Sequence, residues 1–72
     1  MNKKTLSVKI SSEYITLGQF LKFADIIQTG GDAKSFLASN VVKVNGENDN
    51  RRGRKLRVND VIEVLGNVYE IN

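Results

Sequence analysis

Seventy-two residues, 8.0 kDa, with 40% hydrophobic and 26% charged side chains, leave room for one globular domain and exclude a disordered or fibrous chain. Cysteine and histidine are both absent, which removes thiolate nucleophiles, disulfides, the usual zinc and iron–sulfur ligand sets and the commonest general base. The net charge is +3, too mild by itself to name a partner, although its distribution is uneven.

Leu6, Val8 and Ile10 alternate with Ser7 and Lys9, the period-2 pattern of a strand with one buried face. Thr16-Leu17-Gly18-Gln19 fits a capping box, with Ile15 and Phe20 at the staple positions. A helix over about 17–28 places Leu17, Phe20, Leu21, Ala24 and Ile27 on one face, and Gly30-Gly31 is its expected stop. Phe23 and Ile26 fall off that face, so a second apolar side needs a cover. The strand near 6–10 or the C-terminal strand is the expected one, and a protein partner is the alternative. A second helix over 32–39 has Asp32 as its expected cap and turns Ala33, Phe36 and Leu37 inward. Lys34 and Ser35 then lie near its N-terminus, where free N–H groups favour an anion. A lone lysine on a short helix is more often a solvated surface residue.

Val42-Lys43-Val44 followed by Asn45-Gly46 predicts a hairpin, because both turn residues tolerate positive φ. Leu56 and Val58 resume the alternation, Asn59-Asp60 turns, and Val61–Val64 is the next strand. A turn at Gly66-Asn67 leads into Val68–Ile71, expected to return antiparallel to the sheet edge. No repeat, linker or proline interrupts the chain. The longest apolar run is three residues, Phe36 to Ala38, too short for a bilayer span or a signal-peptide core, so a cytoplasmic protein without membrane contact is expected.

Residues 1–12 carry +3 through Lys3, Lys4 and Lys9, residues 13–39 carry −1, and the remainder carries +1. Within that remainder the stretch RRGRKLR concentrates Arg51, Arg52, Arg54, Lys55 and Arg57 with no acid among them. Five cations in seven residues repel one another, and a polyanion would relieve the repulsion while releasing its own counterions. A solvated basic turn is the plain alternative. The carboxylates Asp25, Asp32, Asp49 and Asp60 are scattered over separate elements, each explained as surface, cap or turn. No Ser or Lys has an activating neighbour, so an enzyme is not expected and neither is a cofactor.

The order helix, glycine turn, short helix, VKVNG hairpin and a turn ending in Asp60 before Val61-Ile62-Glu63-Val64 resembles the S4-type (αL motif) RNA-binding domain over residues 16–65. ITLGQFLKFADII with NRRGRKL is similar to the small stand-alone bacterial S4-type proteins of the YaaA kind. The resemblance implies an α+β fold with two N-terminal helices packed on a small, mainly antiparallel sheet of about four to five strands, the whole chain 1–72 forming the domain. It also implies binding of RNA, ribosomal or tRNA-like, across the two-helix face. This chain has Thr16-Leu17-Gly18 where the family habitually opens the first helix with Arg-Leu-Asp, and Thr29-Gly30 where a Ser-Arg pair starts the second. The cationic duty then falls to Lys34, Lys43 and the 51–57 stretch.

The expected function is thus a non-catalytic, monomeric module gripping phosphates and 2′-hydroxyls of structured RNA. The expected site comprises Lys34, Ser35, Lys43, Arg51, Arg52, Arg54, Lys55 and Arg57, with the arginine cluster and the second-helix start forming one electropositive groove. Neutralising roughly five phosphates would make a fourfold rise in salt weaken binding by on the order of a few hundred-fold. Phe20 and Phe36 are assigned to the core, and packing roles are expected for Tyr14, Phe23 and Tyr69. The alternative is a protein-interaction module that meets a ribosomal or other protein through the apolar face around Phe23 and Ile26.

Overall fold

A computed structural model describes residues 5–72; Lys3 and Lys4, which carry part of the N-terminal charge, lie outside them. In chain order the elements are β1 (Thr5–Val8), β2 (Ile15–Thr16), α1 (Leu17–Phe23), α2 (Asp32–Ser39), β3 (Val42–Val44), β4 (Glu47–Asn48), β5 (Lys55–Leu56), β6 (Val61–Val64) and β7 (Asn67–Ile71). Five strands form one sheet in the order β1-β7-β6-β3-β4, and β2 pairs with β5 in a separate two-stranded ribbon.

The expectation of two N-terminal helices on a mainly antiparallel sheet of four to five strands is corrected. Two strands precede the helices, seven strands are present among the described residues, and the main sheet is mixed. The physical reason lies at the C-terminus. β7 pairs antiparallel with β6, but it is not the edge, because β1 runs parallel along its other side from Thr5↔Val68 to Val8↔Ile71. That addition extends the sheet over the core and buries Val8 together with Ile71. Leu56 does not continue a main-sheet strand through Val58, either. It pairs with Ile15 across the small ribbon, and Val58 is left 52% exposed in a turn.

The first helix stops at Phe23, well short of residue 28. Asp25 adopts φ 63°, its N–H donates to the Lys22 carbonyl, and the Ile26 N–H donates to the Leu21 carbonyl. Those two bonds are the pair that defines a Schellman stop, with the left-handed residue usually a glycine. Asp is among the few residues that tolerate that conformation, so Gly30-Gly31 is not needed as the stop. After it, Ile26 packs against the core and Ile27 is buried within it. The second helix occupies the expected span, but Gly31, not Asp32, holds the cap position, without a side-chain bond. The Asp32 carboxylate instead accepts from the Thr29 N–H.

The core joins one face of each helix to one face of the sheet: Leu17, Phe20 and Leu21 from α1, Ala33 and Leu37 from α2, and Val42, Val44, Ile62, Val64 and Ile71 from the strands. Phe20 meets the buried Tyr69 edge-on, with ring centroids 5.2 Å apart, a favoured aromatic geometry. Phe36 is partly buried against this cluster.

The β3–β4 turn is tied to a second turn. Asn45 (φ 52°) and Gly46 (φ 87°) both lie in the left-handed region. The Asn45 side chain donates to Asp60 Oδ1 and accepts from the Val61 N–H, while Asp60 Oδ2 accepts from the Arg57 N–H. The β6–β7 turn falls at Leu65-Gly66, both with positive φ, one residue before the expected position, because Asn67 pairs with Val64. Placing a β-branched residue at Gly46 forces it into a conformation that costs L-residues about 1–2 kcal/mol. Gly46→Val therefore lowers the melting temperature by roughly 4–16 °C, at 4–8 °C per kcal/mol for a domain of this size, as read by circular dichroism; an unchanged melting curve would contradict the turn assignment.

Candidate nucleic-acid interface

The basic stretch has almost no regular structure of its own and is held by the start of α1. A helix leaves its first backbone N–H groups without internal partners. Here the Leu17 N–H donates to the Arg54 carbonyl at 2.7 Å and the Gly18 N–H to the Arg52 carbonyl at 2.9 Å. The Gln19 N–H donates to Thr16 Oγ1, and Gln19 Oε1 accepts in return from the Thr16 N–H, completing the capping box expected from the sequence. A further turn bond joins the Arg54 N–H to the Arg51 carbonyl. The loop backbone thus takes the place that an anion would occupy at this helix terminus.

Gly18 governs how closely the two segments approach. A β-carbon there would lie 3.4 Å from both the Arg52 carbonyl oxygen and the Ala33 β-carbon. A methyl fits at van der Waals contact; a longer side chain would project between the loop and α2. Between them runs an open groove of about 400 Å³ lined by Thr16, Gly18, Gln19 and Lys22 of the α1 side, Gly30 and Ala33 of the α2 side, and Arg52 and Gly53 of the loop.

The structure divides the expected site residues among several places. Arg52 lines this groove, and Lys34 and Ser35 follow Ala33 as exposed residues of α2. Arg51 and Arg54 instead converge on Asp49. The Arg51 guanidinium bonds both carboxylate oxygens, at 3.0 and 2.8 Å, Arg54 Nη1 adds a third contact at 2.8 Å, and the Arg51 N–H a fourth. Lys55 Nζ lies 4.9 Å and the Arg57 guanidinium carbon 5.8 Å from the Tyr14 ring centroid, within cation–π range. Lys43 is on the other side of the sheet. Its neighbours Val42 and Val44 face the core, so Lys43 points away from the helices, opposite Glu63 and Asn48 in register. Of the arginine cluster expected to join the start of α2 in one groove, Arg52 lines it while Arg51 and Arg54 are held by one acid, and Lys43 lies outside it.

Lys22 and Gln19 line the groove and were not among the expected site residues. Their signal lay in the helical period, since residues 18, 19 and 22 share the face of α1 opposite Leu17 and Leu21. Among the described residues, no group of three or more Asp or Glu is arranged to hold a metal ion, and no helix is long and apolar enough to cross a membrane.

The Asp49 side chain is only 6% exposed. Its bond to the Arg51 guanidinium, with contributions from the Arg51 N–H and Arg54, holds its carboxyl well below the usual carboxylate range against the opposing effect of desolvation. The same contact raises Arg51 above its ordinary value. A group whose folded pKa is depressed stabilises the fold above its unfolded pKa, near 4, and loses that contribution as pH falls through the folded value.

A family model described as S4 domain matches residues 8–72. A Bacillus subtilis (strain 168) protein named "Probable ribosome maturation protein RlbA" is 63% identical over 59 residues, covering 82% of this chain and 83% of its own length.

At neutral pH, Asp49→Asn is expected to lower stability by about 1.5–3 kcal/mol, the range for hydrogen bonds to a charged group. That difference from the unsubstituted protein should shrink steadily as pH drops from 5 to 2. Urea unfolding at a series of pH values reads both; a difference independent of pH would show that the carboxylate charge is not what secures the loop.

Proposed function

The chain belongs to the S4 domain family, and from that premise we propose that it is a non-catalytic RNA-binding protein that docks structured RNA along the groove between α1, α2 and the basic loop. The observation that carries the reading is the anchoring of the loop: its carbonyls at Arg52 and Arg54 point into the α1 terminus, which turns this part of the chain into a fixed wall of the groove. Arg52 stands along that wall and Lys22 lines the groove from α1. Lys34 and Ser35 adjoin it on α2, and Arg51, exposed beside its carboxylate partner, extends the positive edge. Lys55 and Arg57 continue it past Tyr14.

The chemistry suits a duplex or a stem with its loop. Side chains cannot read the deep, narrow major groove of A-form RNA, so contacts fall on phosphates and 2′-hydroxyls, with arginine favoured for its bidentate fork. The name of the Bacillus relative extends the proposal to ribosome maturation, with ribosomal RNA as the partner and a cytoplasmic place of action. Lys43, across the sheet, is assigned at most to a secondary contact.

Arg51 and Arg54 are poor choices for testing the groove, because reversing either would set two acids together at Asp49. Lys22 and Arg52 are better. The double substitution Lys22→Ala with Arg52→Ala should leave the far-ultraviolet circular dichroism unchanged and weaken binding of a blunt RNA hairpin at least about tenfold near 100 mM salt. It should also reduce the slope of log affinity against log salt by about 2, near 0.9 for each phosphate no longer neutralised. An unchanged slope places the binding surface elsewhere.

A further inference from the structure

We infer that the surface beside the basic groove is a subsite for unpaired nucleotides of the bound RNA, with Phe23 as the stacking platform; the inference rests on the RNA-binding reading above. Phe23, the last residue of α1, is 66% exposed, so the packing role expected for it is not what the structure gives. The helical period explains why, since Phe23 lies off the face of α1 that carries Leu17, Phe20 and Leu21. The Schellman stop turns Ile26 and Ile27 toward the core, and Phe23 stays outside at the wall of an open groove of about 820 Å³ shared with Lys9, Ile10, Glu13, Tyr14, Ile15 and Gln19.

Two observations select the occupant. Gln19 lines both this groove and the one beneath Arg52, so a strand leaving a duplex docked in the second runs directly into the first. The groove's own lining holds one cation, Lys9, and one acid, Glu13, and the positive balance comes from Lys55 and Arg57, which gather over the ring of its lining residue Tyr14. An apolar peptide has no use for those cations. A single-stranded nucleotide uses both features, because its base has a π-face for an exposed aromatic ring and its phosphate a need for adjacent cations. Tyr14 is 37% exposed, and with its ring already attended by Lys55 and Arg57 it positions these cations, while the open face belongs to Phe23. Such stacking is sequence-tolerant, so the subsite would recognise that a nucleotide is unpaired more than which base it bears.

The test compares a blunt RNA hairpin with the same stem carrying four unpaired uridines, placed at the 5′ end in one probe and at the 3′ end in another. One of the tailed probes should bind about tenfold more tightly than the blunt hairpin, the gain expected from stacking. Phe23→Ala should abolish that advantage with the blunt affinity unchanged within about twofold, and Phe23→Tyr should restore it. Tyr14 and Tyr69 are the only tyrosines, tryptophan is absent, and Tyr69 is buried, so quenching of tyrosine fluorescence by the tailed probe alone is a second expected sign. Blunt and tailed probes bound equally, or a tail advantage that survives Phe23→Ala, would overturn the subsite while leaving the docking reading intact. Failure of every hairpin to bind would overturn both. Concentration-dependent self-association that disappears in Phe23→Ala, seen by sedimentation without RNA, would assign the groove to a second copy of the chain and overturn the inference.

Discussion

Two backbone hydrogen bonds, from the Leu17 and Gly18 N–H groups to the Arg54 and Arg52 carbonyls, couple the least regular part of the chain to its most regular part. Helix termini need acceptors for their first donors, and a loop dense in like charge needs an anchor against its own repulsion. Each supplies what the other lacks. The pairing of Ile15 with Leu56 in the small ribbon brings the two segments into register, and Leu17 and Leu56 are both buried beside it. In a chain this short, which buries a modest fraction of its surface, fixing the loop through groups that would otherwise be unsatisfied stabilises it without enlarging the core.

The same anchoring decides where positive charge stands. With its carbonyls turned into the helix, the loop sends its side chains outward, and the single carboxylate of Asp49 gathers Arg51 and Arg54. This lowers repulsion within the cluster at the cost of some positive potential. A loop of five unrestrained cations would pull harder on a polyanion at long range, but it would lose more conformational freedom on binding. The ion pairs fix two of the arginines beforehand and leave Arg52, on the far side of Gly53 from Arg54, facing the groove. Arg51 keeps an exposed edge while it is paired, and a phosphate approaching it can share the guanidinium with Asp49 because the fork carries five donors.

Features set by neighbouring residues were legible in the sequence; features set by contacts between distant segments were not. The capping box at Thr16 and Gln19, the second helix and the Asn45-Gly46 turn depend on residues within a few positions of one another, and all three are present. The resemblance to the S4 family, carried by the VKVNG hairpin and the turn before Val61–Val64, agrees with the family model that matches residues 8–72. The parallel pairing of β1 with β7 brings opposite ends of the chain together, and alternation in Leu6, Val8 and Ile10 marks a strand without naming its neighbour. The site was legible as composition and illegible as arrangement: RRGRKLR announces charge, whereas Asp49, two residues upstream of the run, looks like an ordinary turn residue until its carboxylate is found between two guanidiniums. Lys22 was hidden for the opposite reason, since it belongs to no charge run.

The end of α1 shows how a small local conflict shapes a surface. Glycine is the usual residue for a left-handed helix stop, and its presence at 30 and 31 pointed to a later end than the one that occurs. Asp25 makes the stop at a strain that an aspartate bears with about 1–2 kcal/mol or less, and the entry of Ile26 and Ile27 into the core offsets it, since burying such side chains contributes about 1.5–3 kcal/mol apiece when complete. A helix continued to residue 28 would have kept those isoleucines on a rotating surface, roughly a hundred degrees apart, with only one able to face inward at a time. Breaking the helix early lets both turn in, while Phe23, off the inward face of α1, stays outside. The largest uncovered aromatic ring of the described residues then stands in the groove it shares with Tyr14 and Gln19 instead of within the hydrophobic cluster.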